Sequence, residues 1–293
     1  MVSSFLKYLE FEKRYSKHTL TSYRNDLTQF QQFLDQSALP VGLDLVEYQH
    51  IRGWLIHLKQ SGLSASSINR KIASLRSFYK YAKRHGLIEK DPSAKVKMLK
   101  KGKALPVFAK EQELTRLLDH MVYEEGFKGM RDQLVLEFLY ASGTRVSELL
   151  NLMEADVDKD RCQVKVLGKR NKHRFIPVPK SIIPLISRYQ TKKREQFPNN
   201  YSPYLIVNNK GDKSYPMLIY RIVNEKLQTL GSLEKQSPHV LRHTFATHLL
   251  NKGAELNAVK ELLGHSSLAA TQVYTHNTID RLKEIFNQSH PKA

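Results

Sequence analysis

Residues 91–108 read DPSAKVKMLKKGKALPVF, and no other stretch does more to limit what this chain can fold into. Asp91-Pro92 breaks the helical pattern ahead of it, because proline has no backbone donor and disfavours α geometry at the preceding residue. Lys95, Lys97, Lys100, Lys101 and Lys103 then crowd a segment without a single acid after Asp91. Such a segment reads as a linker. It divides the 293 residues into a head (1–91), a basic linker (92–106) and a larger body (107–293), a length that allows two cores.

The head reads as helices with short breaks. SSFLKYLEFEKR opens one, and Ser16 is placed to cap a second through TLTSYRNDLTQFQQFL, where Leu20, Tyr23, Leu27, Phe30 and Phe33 recur at helical spacing. VEYQHIRGWLIHLKQSG stops at Ser-Gly, and SSINRKIASLRSFYKYAKRHG stops at Gly86. In the last of these Ile68, Ile72, Leu75, Tyr79 and Ala82 form an apolar stripe at the 3.6 period. Asn69, Arg76, Lys80 and Lys83 run along its flank, with Arg84 beside them, which suits a helix laid in a DNA groove.

Charge supports that use. The chain carries +19, a charge that seeks a polyanion, since neutralising phosphates releases condensed counterions. Residues 1–106 hold 19 Lys and Arg against 8 Asp and Glu (net +11), and residues 107–293 hold 28 against 20 (net +8). An anionic membrane surface is the competing partner, but no apolar run approaches the roughly 18 residues needed to span a bilayer. The N-terminus has acids at Glu10 and Glu12 and no cleavage pattern, so a cytoplasmic protein without membrane insertion is expected. Cys162 is the only cysteine, which excludes an internal disulfide and a cysteine-cluster zinc site.

The body is mainly helical, interrupted at CQVKVLGKRNKHRFIPV by two β-like runs around a basic turn with Lys169 at its tip. Its densest motif is HVLRHTFATH, residues 239–248. On a helix His239, Arg242, His243 and Ala246 fall within an arc of roughly 100°. Leu241, Phe245, His248 and Leu249 form a separate, core-facing set. Two histidines four apart invite a zinc reading, but Val240 stands where a zinc hydrolase helix has its general base, and Arg242 would repel a dication. Arginine beside histidine suits a phosphate instead. YASGTRVSELLNL adds Arg145, placed near a helix N-terminus by Ser142-Gly143-Thr144, with Glu148 three residues on to hold it. ELLGHSSLAATQVYTHNT ends a helix at Gly264, presents His265 in the turn and carries Tyr274 on the next helix.

Two arginines, a lysine, two histidines and a tyrosine, with no metal or Gly-rich loop, suit one reaction. A tyrosine attacks a phosphodiester, forms a phosphotyrosine and expels an alkoxide, with cations around phosphorus and a proton for the leaving oxygen. Covalent storage of the bond energy lets the strand be rejoined without ATP or any other cofactor.

At this point the chain resembles the tyrosine recombinase (phage integrase) family, and most of all its Xer-type members. GTRVSELL, VLGKRNKHRFIPV, HVLRHTFATHLL, LGHSS and TQVYTH match family segments in order, and SKHTLTSYRNDLTQF with the helix to Gly86 resembles its N-terminal domain. The resemblance implies a mainly α protein with a small β-sheet: a helical DNA-clasping domain plus a mixed α/β catalytic domain, closed as a C-shaped clamp around DNA. It implies that Arg145 and Arg242 grip the scissile phosphate and that Lys169 protonates the departing 5′ oxygen. His239 would assist deprotonation of the tyrosine, His265 would donate to the phosphate, and Tyr274 would form the 3′-phosphotyrosyl link. Glu148 is implied as support. Arg170 stands where the family usually has glycine, which leaves the turn type open.

The implied function is site-specific recombination that resolves chromosome dimers at cell division. The implied partners are double-stranded DNA at a short pseudo-palindromic site, a tetramer on two duplexes (of this chain alone or with a second recombinase), and a cell-division DNA translocase. The tail TIDRLKEIFNQSHPKA, with Ile279, Leu282, Ile285 and Phe286 at helical spacing, would dock into a neighbouring subunit. An integrase of a phage or mobile element is the alternative with the same chemistry. A DNA-binding regulator on the same scaffold would be expected to lose catalytic residues, and all six positions are filled.

Overall fold

A computed structural model of the chain describes residues 1–37, 40–100, 108–168, 173–230, 236–264 and 284–291. The chain forms two compact units, Met1–Ala104 and Leu105–Ala293.

The first unit is helical: α1 (Val2–Lys7) running into one π-turn (Tyr8–Glu12), α2 (Lys17–Asp35), α3 (Tyr48–Gln60) and α4 (Ala65–Arg84). Ser16 caps α2, its hydroxyl accepting from the Thr19 amide at 3.3 Å, and Ser64 does the same for α4 through Ser67 at 3.2 Å. The whole apolar stripe of α4 is buried, packed on Phe5, Leu27, Phe30 and Trp54. Asp26 is fully buried in this core, where Lys71 (3.0 Å), the Ser74 hydroxyl (2.8 Å) and Arg70 satisfy its carboxylate. A charge in that position is tolerable only because each oxygen has a donor.

Two expectations for this unit are corrected. Asn69 is buried rather than facing a groove: its amide nitrogen donates to the Leu99 carbonyl at 2.9 Å, and its oxygen accepts from the Leu99 amide at 2.8 Å. Arg76 donates to the Val96 carbonyl from the same helix and is half-buried, so of the three expected DNA contacts Lys80 alone is exposed. The stretch from residue 92 is therefore not all linker. Val96 is buried and Leu99 packs against the helical core, so residues 93–99 belong to the first unit. Lys95 and Lys97 are exposed, which is how so basic a segment adheres to an apolar surface.

In the second unit α5 (Glu111–His120) precedes α6 (Phe127–Ser142), whose LVLEFLY centre is apolar nearly all round and is accordingly buried on nearly all sides. A short α7 (Val146–Asn151) leads into three antiparallel strands in the order β1 (Val157–Asp158), β2 (Gln163–Leu167), β3 (His173–Pro177). The expected hairpin is present, with Val166 opposite Arg174 and Leu167 opposite His173. Then come α8 (Ile182–Gln196), α9 (Pro216–Gln228), α10 (Pro238–Asn251) and α11 (Leu256–Leu263). The core joins α6, α8 and α9 to the inner faces of β2 and β3.

The expected docking of the tail into a neighbouring subunit rests in part on Ile279 and Leu282, which lie outside the described residues; the described part packs on its own unit. Residues 284–289 are helical and Phe286 is fully buried against Phe245, Leu249, Leu262 and Leu263 of its own unit. Phe286 thereby covers apolar side chains of α10 and α11 that would otherwise face water.

Candidate active site

The site is assembled where the α6–α7 turn, the start of β3, α10 and the end of α11 meet. Gly143 ends α6 in the left-handed region (φ +58°), and a side chain there would meet the Phe245 ring at 2.4 Å. Glycine therefore permits both the turn and its close approach to α10. Two residues later Arg145 caps α7, its backbone amide donating to Glu148 Oε2 and its Nη1 donating to Oε1, both at 2.8 Å. Glu148 thus holds Arg145 as expected, through backbone and side chain together.

Arg242 reaches the same place from α10. It is 8% exposed, and its Nη1 and Nη2 donate to the carbonyls of Gly143 (2.5 Å) and Leu263 (2.6 Å). Arg145 Nη2 reaches the next carbonyl along, Gly264, at 3.4 Å. The two guanidiniums therefore converge on the C-terminal end of α11. His239 lies one turn before Arg242 and is exposed, as is His243, so the expected arc divides: its arginine turns inward and its histidines face out.

Sequence reasoning missed Arg174. Its side chain is 5% exposed and forks onto both Glu148 oxygens, Nη1 to Oε1 at 2.9 Å and Nη2 to Oε2 at 3.0 Å, while Nε donates to the Leu262 carbonyl at 3.2 Å. A signal was present: in HRFIP, alternation puts Arg174 on the same inward face as Ile176.

Among the described residues of the site two guanidiniums, Arg145 and Arg174, thus share the Glu148 carboxylate while Arg242 stands beside them on backbone carbonyls, and the pKa shifts reflect this. Arg242 is lowered to about 10, first by burial and then by repulsion from Arg145, with Glu148 opposing. It still carries its charge at neutral pH. Burial pushes Glu148 upward, but hydrogen bonding and attraction from Arg174 and then Arg145 outweigh it, leaving the carboxyl below its ordinary value. A positive site whose cations repel one another binds an anion favourably, because the anion relieves the repulsion. Lys169, His265 and Tyr274 lie outside the described residues, although Lys169 follows β2 by two residues and His265 follows Gly264 directly.

His248, the third histidine of the motif, belongs to the core as expected. Its Nε2 donates to the Ala109 carbonyl at 2.9 Å, and its Nδ1 lies 3.0 Å from the Tyr140 hydroxyl, which donates to it. Burial lowers its pKa, with the Ala109 bond partly opposing. The folded chain therefore binds a proton here less readily than the unfolded one. The stabilisation is complete above the ordinary imidazole value of 6.5 and is lost as pH falls through and below it. Urea midpoints at pH 7.5 and 5.5 should drop further for the native chain than for His248→Gln; equal drops would assign the acid sensitivity to other groups.

Residues 108–281 match the Phage integrase family, and residues 2–86 match the Phage integrase N-terminal SAM-like domain. The chain is 40% identical over 290 residues to the tyrosine recombinase XerC of Staphylococcus saprophyticus, covering 99% of this chain and 97% of that protein. It is 37% identical over 292 residues to the tyrosine recombinase XerC of Anoxybacillus flavithermus, with the same coverage of each. In fold it resembles the XerH site-specific recombinase in a post-cleavage complex with palindromic difH substrate (TM-score 0.72, 23% identity, 97% of this chain and 83% of that one). The Tn1549 transposon integrase in complex with circular intermediate DNA is also similar (TM-score 0.69, 20% identity, 96% and 98%).

Proposed function

Because the chain belongs to the phage integrase family of tyrosine recombinases, we propose that it resolves chromosome dimers by Xer-type site-specific recombination in the cytoplasm. The observation that carries the chemistry is the meeting of Arg145 and Arg242 at the end of α11, where the repulsion between them favours an anion. The identity with XerC proteins along nearly the whole chain carries the biological role.

In the proposed reaction a duplex site binds to both units and its scissile phosphate sits between the two guanidiniums. The Tyr274 hydroxyl attacks phosphorus while His239 takes its proton, and the 5′ oxygen leaves with a proton from Lys169. His265 and the arginines hold the charge that builds on the non-bridging oxygens. A 3′-phosphotyrosyl bond replaces the phosphodiester, and attack by the 5′ hydroxyl of a partner strand reverses the step on the new duplex. Exchange between duplexes requires four subunits, so a tetramer of this chain, or of this chain with a second recombinase, assembles on two short pseudo-palindromic sites. A cell-division DNA translocase is the proposed activator. The two compact units, Met1–Ala104 and Leu105–Ala293, are the proposed functional domains, with Lys80 among the first unit's phosphate contacts.

The reading is tested by incubating the chain with nicked duplexes from the host's replication-terminus region and denaturing the mixture: a covalent protein–DNA adduct supports it, and specific binding without any adduct supports a regulator instead. Lys169→Ala should slow cleavage of ordinary DNA by about 10²- to 10⁴-fold, the usual worth of a general acid. The loss should largely vanish on a substrate with a bridging sulfur at the 5′ position, because a thiolate leaves without a proton. Equal losses on both substrates would remove Lys169 from that role.

A further inference from the structure

We propose that Arg174 is a positioning residue for strand cleavage: it shares Glu148 with Arg145, and so keeps the Arg145 charge available to the phosphate, while it locks β3 to the end of α11. This inference rests on the reading of Arg145 as a phosphate ligand.

Both Glu148 oxygens are divided between the two arginines. Oε1 accepts from Arg145 Nη1 (2.8 Å) and Arg174 Nη1 (2.9 Å), and Oε2 accepts from the Arg145 amide (2.8 Å) and Arg174 Nη2 (3.0 Å). One negative charge is thereby spread over two guanidiniums. With Arg174 removed, the carboxylate would face Arg145 alone and cancel much of the charge that Arg145 offers a ligand.

Exposure separates the roles. The Arg145 side chain is 28% exposed and keeps an open side, whereas Arg174 is 5% exposed and is committed to Glu148 and Leu262. Arg174 therefore acts through Glu148 rather than on the phosphate.

The guanidinium also ties three elements together. It grows from β3, the antiparallel partner of β2; it forks onto α7; and its Nε holds the Leu262 carbonyl of α11. Gly264, in the left-handed region at φ +64°, rests on it so closely that a side chain there would meet Arg174 Cζ and Nη1 at 3.0 Å. The carbonyls that receive Arg242 and Arg145, those of Leu263 and Gly264, flank the same contact. One buried plane thus sets the floor on which both phosphate-directed arginines rest.

Single-turnover cleavage, DNA affinity and thermal melting of the full chain, Arg174→Gln, Glu148→Gln and Arg174→Gln/Glu148→Gln test the proposal. Arg174→Gln should cleave about 10²-fold more slowly, the usual consequence of misplacing a reacting partner by about an ångström, while binding DNA within a few-fold of the native chain. Its defect should persist on the bridging-sulfur substrate, because the fault lies in the grip on phosphate and not in proton delivery. The double variant, which leaves no unpaired carboxylate, should cleave faster than Arg174→Gln alone. Cleavage by Arg174→Gln at the native rate would overturn the proposal. So would a double variant slowed by the product of the two single losses, or loss of folding in Arg174→Gln and the double variant alike, which would make the residue merely structural. A native chain that forms no adduct on any duplex would instead bring down the recombinase reading itself, and is recognised by that result alone.

Discussion

Tyr274→Phe should bind the same duplexes as the native chain and leave no protein attached to DNA after denaturation, however long the incubation. The substitution removes one oxygen atom and keeps the ring, so packing and charge are nearly unchanged. The chemistry has no substitute for that oxygen: a covalent intermediate needs a nucleophile that both attacks phosphorus and later departs. Nicked duplexes make the comparison sharp, because the short released strand diffuses away and the native adduct accumulates instead of religating. An adduct that survives Tyr274→Phe would move the nucleophile to another residue. Loss of both adduct and binding would show that the ring is needed to build the site.

Arg242→Lys should lower single-turnover cleavage by roughly 10²- to 10³-fold, as removal of one donor to a developing oxyanion does, although the net charge is unchanged. In the native chain the guanidinium donates to the Gly143 and Leu263 carbonyls through separate nitrogens, so its plane is fixed before any ligand arrives. An ammonium on a flexible stem reproduces neither the fork nor the fixed plane. It also leaves one of two buried carbonyls without its donor, at a cost of about 1–3 kcal/mol. Denaturant midpoints measured beside cleavage rates separate these effects. Cleavage within a few-fold of native would mean that only the charge of Arg242 matters.

The helices were legible because their apolar residues recur at 3.6 over long windows and their ends carry chemical marks. Ser16 caps α2 because a free hydroxyl ahead of an apolar-periodic run has amides to accept from. The hairpin was legible from alternation, and His248 from its place among Leu241, Phe245 and Leu249. Arg145 and Glu148 were legible as a pair from a small-residue break and helical spacing, whereas Arg242, 97 positions on, was joined to them only by the family resemblance. Arg174 was hidden for the opposite reason. It stands in GKRNKHR, where five of seven residues are Lys, Arg or His, and only strand register against Val166 turns it inward. Its partner Glu148 is 26 positions away, which no local pattern reports. Asn69 failed as a DNA contact because residue type tells what a side chain can bond to, not which group arrives first. Leu99, 30 positions on, takes both ends of its amide.

That same clasp has a consequence for anyone dissecting the chain. A fragment ending at Asp91, where composition invites a cut, would discard Val96 and Leu99 and leave buried Asn69 and half-buried Arg76 facing water with no carbonyl to hold. A fragment ending at Lys100 keeps the clasp closed. Trypsin should register the difference, sparing Lys95 and Lys97 inside the folded border for longer than Lys100 just past it. The sequence boundary marked by Asp91-Pro92 and the border of these contacts are thus about nine residues apart, from Asp91 to Lys100, and only a cut at the second keeps the bonds of Asn69 and Arg76.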